Sequence, residues 1–201
     1  MPRKPQQPRA KATVDAIVEA GLKLLAEEGP KGTSTRRIAE VAGIGVGSLY
    51  EYFSDREAVH QAMFKRIVAD AVTIIEPLIP TLVRMSIRDA VYELLCKVRE
   101  LLQKNDNRYL NCVHHSVNLV GKYPLKPLQK VLMELLLQYV MRHPELMRAR
   151  NLQTMGYIYI YGGTFTVIRH LSDPAPPITF DELARGLADM VAFSSEGSLK
   201  T

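Results

Sequence analysis

Apolar residues recur along most of the chain at the three- and four-residue spacing that places them on one face of an α-helix. The first such stripe predicts a helix over roughly 12–28, which the pair Gly29-Pro30 should end. Two short helices follow and meet at Gly43, and the second extends from about Val46 to Phe53. A longer helix followed by two short ones joined at a glycine is the pattern of a helix-turn-helix.

The rest of the chain also carries helical patterns. Ser54 followed by Glu57 predicts a capping box at the start of a fourth helix. Later apolar stripes predict helices over about 87–102, 109–117 and 128–140. The sequence contains no internal repeat, so each stripe is interpreted as a separate helix.

One stretch conflicts with this helical reading. Residues 157–161 alternate tyrosine and isoleucine, Gly162-Gly163 suits a tight turn, and residues 164–168 are rich in β-formers, which together favour a β-hairpin. A lone hairpin is marginally stable, however, and the sequence supplies no partner sheet. We therefore predict helix here, with the two glycines marking a bend or a close helix–helix contact.

A second capping box, Thr179 with Glu182, opens the last predicted helix. The expected fold is therefore all-α, with about nine helices in all. We expect a flexible basic tail over 1–11, a three-helix helix-turn-helix domain over 12–56, and a larger helical domain over 57–196.

The charge distribution of the chain favours a polyanionic partner. The formal net charge is +5, and no acidic residue precedes Asp15. The tail before it carries Arg3, Lys4, Arg9 and Lys11. Basic arms of this kind often follow DNA phosphates or enter a minor groove. A solvated terminus without a partner explains the same pattern equally well.

Cysteine usage and hydropathy bear on the compartment. Only Cys96 and Cys112 are present, which is too few for a disulfide framework and suggests buried free thiols in a reducing environment. The basic N-terminus has no apolar segment of a signal peptide, and no apolar run approaches the ~18 residues of a membrane span. We expect a soluble, cytoplasmic protein that is not bound to a membrane.

The segment around Gly43 combines several short motifs. They are Thr35, Ile38-Ala39, Ala42-Gly43, Leu49-Tyr50-Glu51-Tyr52-Phe53 and Arg56-Glu57. With these motifs the segment resembles the N-terminal domain of the TetR family of bacterial transcriptional regulators. The match covers about the first quarter of the chain and departs from the family pattern at Gly45, often serine, and at Ser48, often threonine.

The resemblance implies that the second short helix enters a major groove of double-stranded DNA. Arg36 is the expected base-reading residue, because a guanidinium can pair bidentately with guanine, and Val46 is expected on a thymine methyl. By its residues, either Ser34 or Thr35 can cap the second helix. The resemblance assigns the cap to Thr35, which is also expected to reach a phosphate, while Arg37 is expected in solvent or on the DNA backbone. The full expected DNA-contact set is Thr35, Arg36, Gly45, Val46, Gly47, Ser48, Tyr50, Tyr52 and Arg56.

The remaining members of this set are expected to position the domain on the DNA. Hydroxyls of serine and tyrosine and the charge of Arg56 suit phosphate contacts, which carry no sequence information. Gly45 and Gly47 allow the backbone to come close to the DNA, although the lost hydroxyl at Gly45 removes one phosphate contact. Tyr50 has an alternative interpretation as a half-buried core tyrosine.

The sequence gives little support to a metal site, a cofactor or an active site. Cys112, His114 and His115 are close in sequence, but adjacent histidines on a helix point about 100° apart and no metal-ligand spacing is present. No phosphate loop or nucleophile motif is found. We expect no catalytic residues, no metal and no cofactor.

The helices after Ser54 carry polar residues that could anchor a small molecule in an apolar cavity. TetR-like proteins generally bind effectors in such a C-terminal cavity, although these residues could equally be satisfied core polars. The expected ligand-binding residues are Tyr92, Cys96, Arg99, Tyr109, His115, Asn118 and Tyr139.

Two functions follow from this sequence. The first is a transcriptional regulator, a homodimer through its last two helices, that represses a near-palindromic operator and is released by a small-molecule effector. The second is a helical ligand-binding or enzymatic protein in which the N-terminal motif is only scaffold. The basic tail and the arginine and tyrosine residues of the motif favour the first.

Overall fold

The computed structural model describes residues 7–115, 125–148 and 151–197, and every regular element within these ranges is helical, which confirms the all-α prediction. None of the helices in the described part is long and apolar enough to cross a membrane. Single turns of 3-10 helix lie at Glu76–Leu78 and Pro144–Arg148, and a π-helical turn at Ile158–Gly162. The α-helices are α1 (Pro8–Gly32), α2 (Thr35–Val41), α3 (Val46–Tyr52), α4 (Arg56–Ile75), α5 (Ile79–Leu82), α6 (Ile87–His114), α7 (Lys126–Arg142), α8 (Leu152–Tyr157), α9 (Gly163–Leu171) and α10 (Phe180–Gly197).

The chain divides into two compact units. The first unit comprises Met1–Ile67 and Leu102–Tyr123, and the second comprises Val68–Leu101 and Pro124–Thr201. Helices α4 and α6 therefore contribute residues to both units. The expected domain boundary after residue 56 stays a prediction.

Helix α1 is longer than its apolar stripe. It begins at Pro8, whose fixed φ and missing N–H suit a first helical turn, so Arg9 and Lys11 lie in the helix and not in the expected tail. Residues 1–6 of that tail lie outside the described residues. Near its end the backbone leaves helical geometry at Gly29, with φ 68° and ψ −170°, directly before Pro30, as the sequence predicts.

The turn between α2 and α3 is closed by backbone hydrogen bonds. Gly43 has φ 69°, a left-handed conformation that only glycine adopts at little cost. Its N–H donates to the carbonyl of Glu40, and the N–H of Ile44 donates to the carbonyl of Ala39, which is the Schellman arrangement. Ile38 and Leu49, both fully buried, pack inside this turn.

The cap of α4 differs from the predicted capping box. Asp55, not Ser54, precedes the helix, and its carboxylate accepts from the backbone N–H of Ala58 at 2.8 Å. The hydroxyl of Ser54 donates to the same carboxylate at 2.9 Å. These hydrogen bonds, from the Ala58 amide first and then from Ser54, hold the pKa of Asp55 below its ordinary value. Serine and aspartate suit an N-cap about equally, so the cap is the residue directly before the first helical turn, which is Asp55.

Later residues of α6 pack on α1 within the first unit. Arg108 forms an ion pair with Glu19, and the buried Cys112 thiol donates to the carbonyl of Leu22 at 3.4 Å. Burial raises the pKa of Cys112 to about 12. This thiol is therefore held in the neutral state and is part of the core.

Helix α6 is interrupted where the sequence predicts two helices. Asn105, Asp106 and Asn107 have φ values of 51°, 57° and 60°, so the right-handed helix stops and resumes at Arg108. Asparagine and aspartate tolerate this left-handed region better than other residues with a Cβ. All three are exposed, so solvent can satisfy the interrupted backbone.

The second unit has its own apolar core, built around α5, α6 and α7. Tyr139 on α7 is 7 % exposed, and its hydroxyl donates to the carbonyl of Met85 at 3.1 Å. The ring of His143 stacks on Tyr139, and its Nε2 lies 3.1 Å from the carbonyl of Val83. These contacts fix the turn before α6. The buried members of this core are Ile75, Ile79, Leu82, Val83, Ala90, Val131, Tyr139 and Leu146.

The stretch with hairpin propensity is helical, as we predicted. Gly162 and Gly163 keep helical φ values of −66° and −62°, and the π-helical turn lies just before Gly163. Burial of Ile160 and Val167 against the unit outweighs the β-propensity of this stretch.

Helix α10 begins with the predicted capping box. The amide of Glu182 donates to the hydroxyl of Thr179 at 3.2 Å, and the carboxylate of Glu182 accepts from the amide of Thr179 at 2.7 Å. Ala184, Ala188 and Ala192 form the buried face of the helix. The opposite face is exposed.

Candidate nucleic-acid interface

The first turn of α3 presents a continuous exposed surface. Gly45, Val46, Gly47 and Ser48 are all exposed, whereas Leu49 is fully buried and anchors the helix. This turn therefore projects small residues outward, which is the placement expected of a helix that enters a groove.

The two glycines of this turn have no internal packing role. A Cβ added at Gly47 would meet no atom of the described residues within 4 Å, and one at Gly45 would lie 4.0 Å from the hydroxyl of Ser48. Gly45 occupies the N-cap position of α3 without a side-chain cap. Because the protein itself does not require these glycines for space, their small size is available to an external partner.

Thr35 and Tyr50 join the two short helices. Their hydroxyl oxygens are 3.1 Å apart, with Tyr50 49 % exposed and Thr35 half-buried. One hydroxyl must donate to the other, so one O–H of the pair remains able to donate to a phosphate. Of the two candidate caps of α2, Ser34 is the one that the structure shows, since its hydroxyl accepts from the amide of Arg37 at 3.2 Å. The cap role that the resemblance assigned to Thr35 is therefore wrong. Thr35 is the first residue inside α2, where its side chain points to Tyr50.

The neighbouring arginines of α2 have different environments. Arg37 forms ion pairs with Glu28 at 3.0 Å and with Glu40 at 3.1 Å, and these two hydrogen-bonded carboxylates raise its pKa. Arg36 is exposed and makes no ion pair with any residue in the described ranges. Its guanidinium is the one available for an external partner.

Arg56 and Tyr52 complete the predicted DNA-contact set. Arg56 is exposed at the start of α4, and its guanidinium lies 3.5 Å from the carbonyl of Pro30. Tyr52 is half-buried on α3. All nine residues of the set thus lie on α2, on α3 or within a few residues of their ends.

Three of the expected ligand-binding residues share one stripe of α6 in the second unit. Tyr92 donates to the carboxylate of Asp181 at 2.6 Å, and Arg185 donates to the other oxygen of that carboxylate at 2.7 Å. The hydrogen bond to Asp181, followed by one with Cys96, raises the pKa of Tyr92 to about 12. Arg99 lies two helical turns after Tyr92, and its guanidinium is over the ring of Phe180, the first residue of α10. We call Tyr92, Cys96, Arg99, Asp181 and Arg185 the polar cluster.

The other expected ligand-binding residues do not join the polar cluster. Tyr139 is held in the core by Met85 and His143, as its core alternative requires. Tyr109 and His115 belong to the first unit, where the exposed imidazole of His115 lies so near Gly29 that an added Cβ there would be 3.3 Å from it. Asn118 lies outside the described residues.

Sequence reasoning missed several partners of these residues. Asp181 and Arg185 have the spacing of a helical ion pair, which was a usable signal. The pairing of Arg37 with Glu28 joins residues nine positions apart on two helices. Periodicity along one helix carries no information about such a contact.

Comparison with known proteins agrees with this geometry. The family described as "Bacterial regulatory proteins, tetR family" matches residues 17–63, which include α2, α3 and the start of α4. The chain matches no curated protein sequence.

Solved structures resemble the chain over nearly its whole length. The fatty acid degradation regulator FadR from Bacillus halodurans is 19 % identical, with 94 % of this chain and 97 % of that chain covered and a TM-score of 0.69. FadR from Bacillus subtilis, in complex with stearoyl-CoA, is 17 % identical, with 89 % and 97 % covered and a TM-score of 0.67. A TetR-family regulator from Mesorhizobium loti is 16 % identical, with 96 % and 98 % covered and a TM-score of 0.61. The chain thus has the all-helical fold of these regulators, and its residues 17–63 form a helix-turn-helix domain of the TetR family of bacterial regulatory proteins.

Proposed function

We propose that this protein is a homodimeric transcriptional repressor that binds a near-palindromic operator and leaves it when a small molecule binds the second unit. The observation that carries the proposal is the exposed first turn of α3, flanked by Arg36, whose guanidinium forms no ion pair with any residue in the described part of the chain. A protein that used this motif only as scaffold would have no need of such a surface. The site of action is then the cytoplasm of a bacterial cell, where its DNA lies.

The side chains around α3 support separate roles in DNA recognition. Arg36 reads guanine, and Val46, 37 % exposed, contacts a thymine methyl. Ser48, Tyr50, Tyr52 and Arg56 supply hydroxyls and one charge to phosphates, with Thr35 acting through Tyr50.

The apolar faces of the last helices support a dimer. The segment 152–171 exposes Tyr157, Ile158 and Phe165, and α10 exposes Met190 and Phe193. Both helices bury an opposite face within their own unit. Each of the two segments thus has one apolar face buried in its own unit and a second apolar face that is exposed. Two such segments from each of two copies can pack as a four-helix interface. Dimerisation then places two α3 helices for two half-sites about one helical turn apart.

The effector is proposed to bind in the second unit at the stripe of Tyr92, Cys96 and Arg99. None of the nine consecutive residues 91–99 is fully buried, although four of them are valine or leucine. Among the similar structures, FadR from Bacillus subtilis is in complex with stearoyl-CoA, which supports a small-molecule effector for a protein of this fold. Release requires unequal effector affinity for the operator-bound and free states.

The proposal is tested by selecting a site from randomised duplex DNA and measuring variants on that site. Arg36→Ala should relax base preference at one position of each half-site and cost about 1–3 kcal/mol of binding free energy. Arg37→Ala is the matched control, because its guanidinium is already paired with Glu28 and Glu40. It should retain the wild-type base preference.

Salt dependence separates phosphate contacts from base contacts. Arg56→Ala should weaken binding to all sequences alike and reduce the slope of log affinity against log salt by about 1. Failure to select any sequence, or an Arg36 variant indistinguishable from wild type, would contradict the proposed function.

A further inference from the structure

The polar cluster contains one cation that the described residues leave without a hydrogen-bonding partner. Asp181 uses one carboxylate oxygen for Tyr92 and the other for Arg185. Its negative charge is thus compensated by Arg185, whose guanidinium also lies 4.8 Å from the centre of the Tyr92 ring. Arg99 forms no hydrogen bond and no ion pair within the described ranges, although, after the hydrogen bonds from Tyr92 and Arg185, its charge also helps to lower the pKa of Asp181. The cluster thus holds two guanidinium groups and one carboxylate, which leaves one positive charge in excess.

The position of Arg99 is defined by an aromatic ring. Its guanidinium carbon lies 5.4 Å from the centre of the Phe180 ring, over the face. His170 approaches the same ring edge-on at 5.9 Å. A cation over an aromatic face keeps its N–H groups directed around the ring, where they can donate to an anion. Arginine offers five such donors.

Apolar surface lies beside this cation. Leu94 and Val98 pack against the core of the second unit but are only partly buried, and Val91 and Leu95 are also half-buried. Glu93 and Glu100, the carboxylates nearest in sequence, are both paired with Lys97. An anion at Arg99 would therefore have apolar side chains next to it on the same helix.

We infer that the effector site of this protein takes an amphipathic anion, in which a carboxylate or sulfonate binds Arg99 and an apolar body lies along α6. The inference rests on the proposed effector site in the second unit. Arg99 supplies charge-assisted hydrogen bonds, Phe180 holds the guanidinium in place, and half-buried leucine and valine side chains receive the apolar part.

Two dyes test the charge requirement. 1-Anilinonaphthalene-8-sulfonate and N-phenyl-1-naphthylamine share the same ring system, and only the first carries an anionic group. Fluorescence titration of the full chain should show that Arg99→Gln weakens binding of the sulfonate about tenfold, while the neutral dye changes less than about twofold. Arg169→Gln is the matched control, since this exposed arginine of α9 is paired with Asp173. The Arg169 variant should bind both dyes with the affinity of wild type.

The conservative variant keeps the test meaningful if the glutamine variant folds poorly. Arg99→Lys retains the charge and should recover at least part of the preference for the sulfonate. Equal losses for both dyes, no loss for either, or no binding of the sulfonate to wild type would each overturn the inference and leave Arg99 a partner of Phe180 only.

The dye titration tests the anion site and the DNA selection tests the repressor function, so each can be contradicted without the other. A chain that selects an operator but shows no Arg99-dependent preference for the sulfonate dye contradicts the anionic ligand alone. A chain that shows the preference but selects no DNA sequence contradicts the proposed repressor and leaves the anion site standing.

Discussion

The hydroxyl of Thr35 lies 3.1 Å from the hydroxyl of Tyr50, so a hydrogen bond joins the first residue of α2 to the middle of α3. Both residues belong to the set expected to contact phosphates. The hydrogen bond gives a second reason for their presence, because it sets the position of α3 relative to α2. The two roles predict different behaviour when both hydroxyls are removed.

A double-mutant cycle distinguishes these roles. Thr35→Val and Tyr50→Phe should each weaken DNA binding, by about 0.5–1.5 kcal/mol for one hydrogen bond. If the pair acts as a unit, the double variant should bind about as well as the weaker single variant. Fluorescence anisotropy on a selected operator measures all four proteins. Losses that simply add would show that each hydroxyl contacts the DNA independently.

Gly47→Ala should strengthen folding while weakening DNA binding. The new Cβ meets nothing within 4 Å, and alanine is favoured over glycine in a helix by up to about 1 kcal/mol. The same methyl group would lie between the backbone and the DNA, at a cost of about 1–3 kcal/mol. Thermal unfolding and anisotropy measure the two effects separately.

Gly43→Ala provides the contrasting control for Gly47. Gly43 has φ 69°, where a residue with a Cβ is strained. The free energy of unfolding should therefore decrease by about 1–2 kcal/mol. If Gly47→Ala left DNA affinity unchanged, close approach of the backbone at this turn would be wrong.

A feature can be predicted from the sequence when the residues that produce it are close together in the chain. Helices and the α2–α3 turn depend on local patterns and on one glycine, so the sequence predicts them well. The helical state of 157–168 was predictable only by asking what a hairpin would pack against. The cap of α4 was mispredicted because Ser54 and Asp55 both suit that position, and the choice depends on where the first turn begins.

Contacts between helices were much less predictable. Tyr92 and Tyr139 look alike in sequence, since each is a tyrosine within an apolar stripe. Tyr92 joins the polar cluster, whereas Tyr139 donates to a backbone carbonyl 54 positions away and lies in the core. Only the packing of helices decides such cases, and no pattern along a single helix records it.

His60 should make folding sensitive to mild acid. It is 3 % exposed, and its Nε2 has no hydrogen-bonding partner among the residues that the structure describes. Burial lowers its pKa, with a smaller contribution in the same direction from Arg56 and an opposing one from Glu57. The unfolded chain therefore takes up the proton first as pH falls, and stability should decrease below about pH 6.5, the ordinary histidine value.

His60→Leu removes this titration without changing the size of the side chain much. The free energy of unfolding in urea should then depend less on pH than in wild type between about pH 7.5 and about pH 5.5. This window lies above the range in which carboxylates titrate. An unchanged pH dependence would mean that the folded protein binds the His60 proton as readily as the unfolded chain does.

The exposed faces of 152–171 and α10 are expected to join two copies of the chain. Phe165 is 59 % exposed and Phe193 is 79 % exposed. Within the monomer, Tyr159 donates to the carbonyl of Met190 at 3.2 Å, so the two helices are already joined on their inner side. Their outer apolar side chains are exposed in the monomer and are expected to meet a second copy.

Phe193→Glu and Phe165→Glu should each convert the dimer to monomer, because a carboxylate buried in an apolar interface loses its hydration without gaining a partner. Gly162→Leu should act in the same way by keeping the helices apart, since the site of its Cβ is open in the monomer. Met147→Glu is the matched control, because Met147 is 70 % exposed but lies outside these helices. Light scattering at micromolar concentration gives the mass of each protein. A monomeric wild type, or glutamate variants that remain dimeric, would contradict this interface, and a monomeric Met147 variant would place the interface elsewhere.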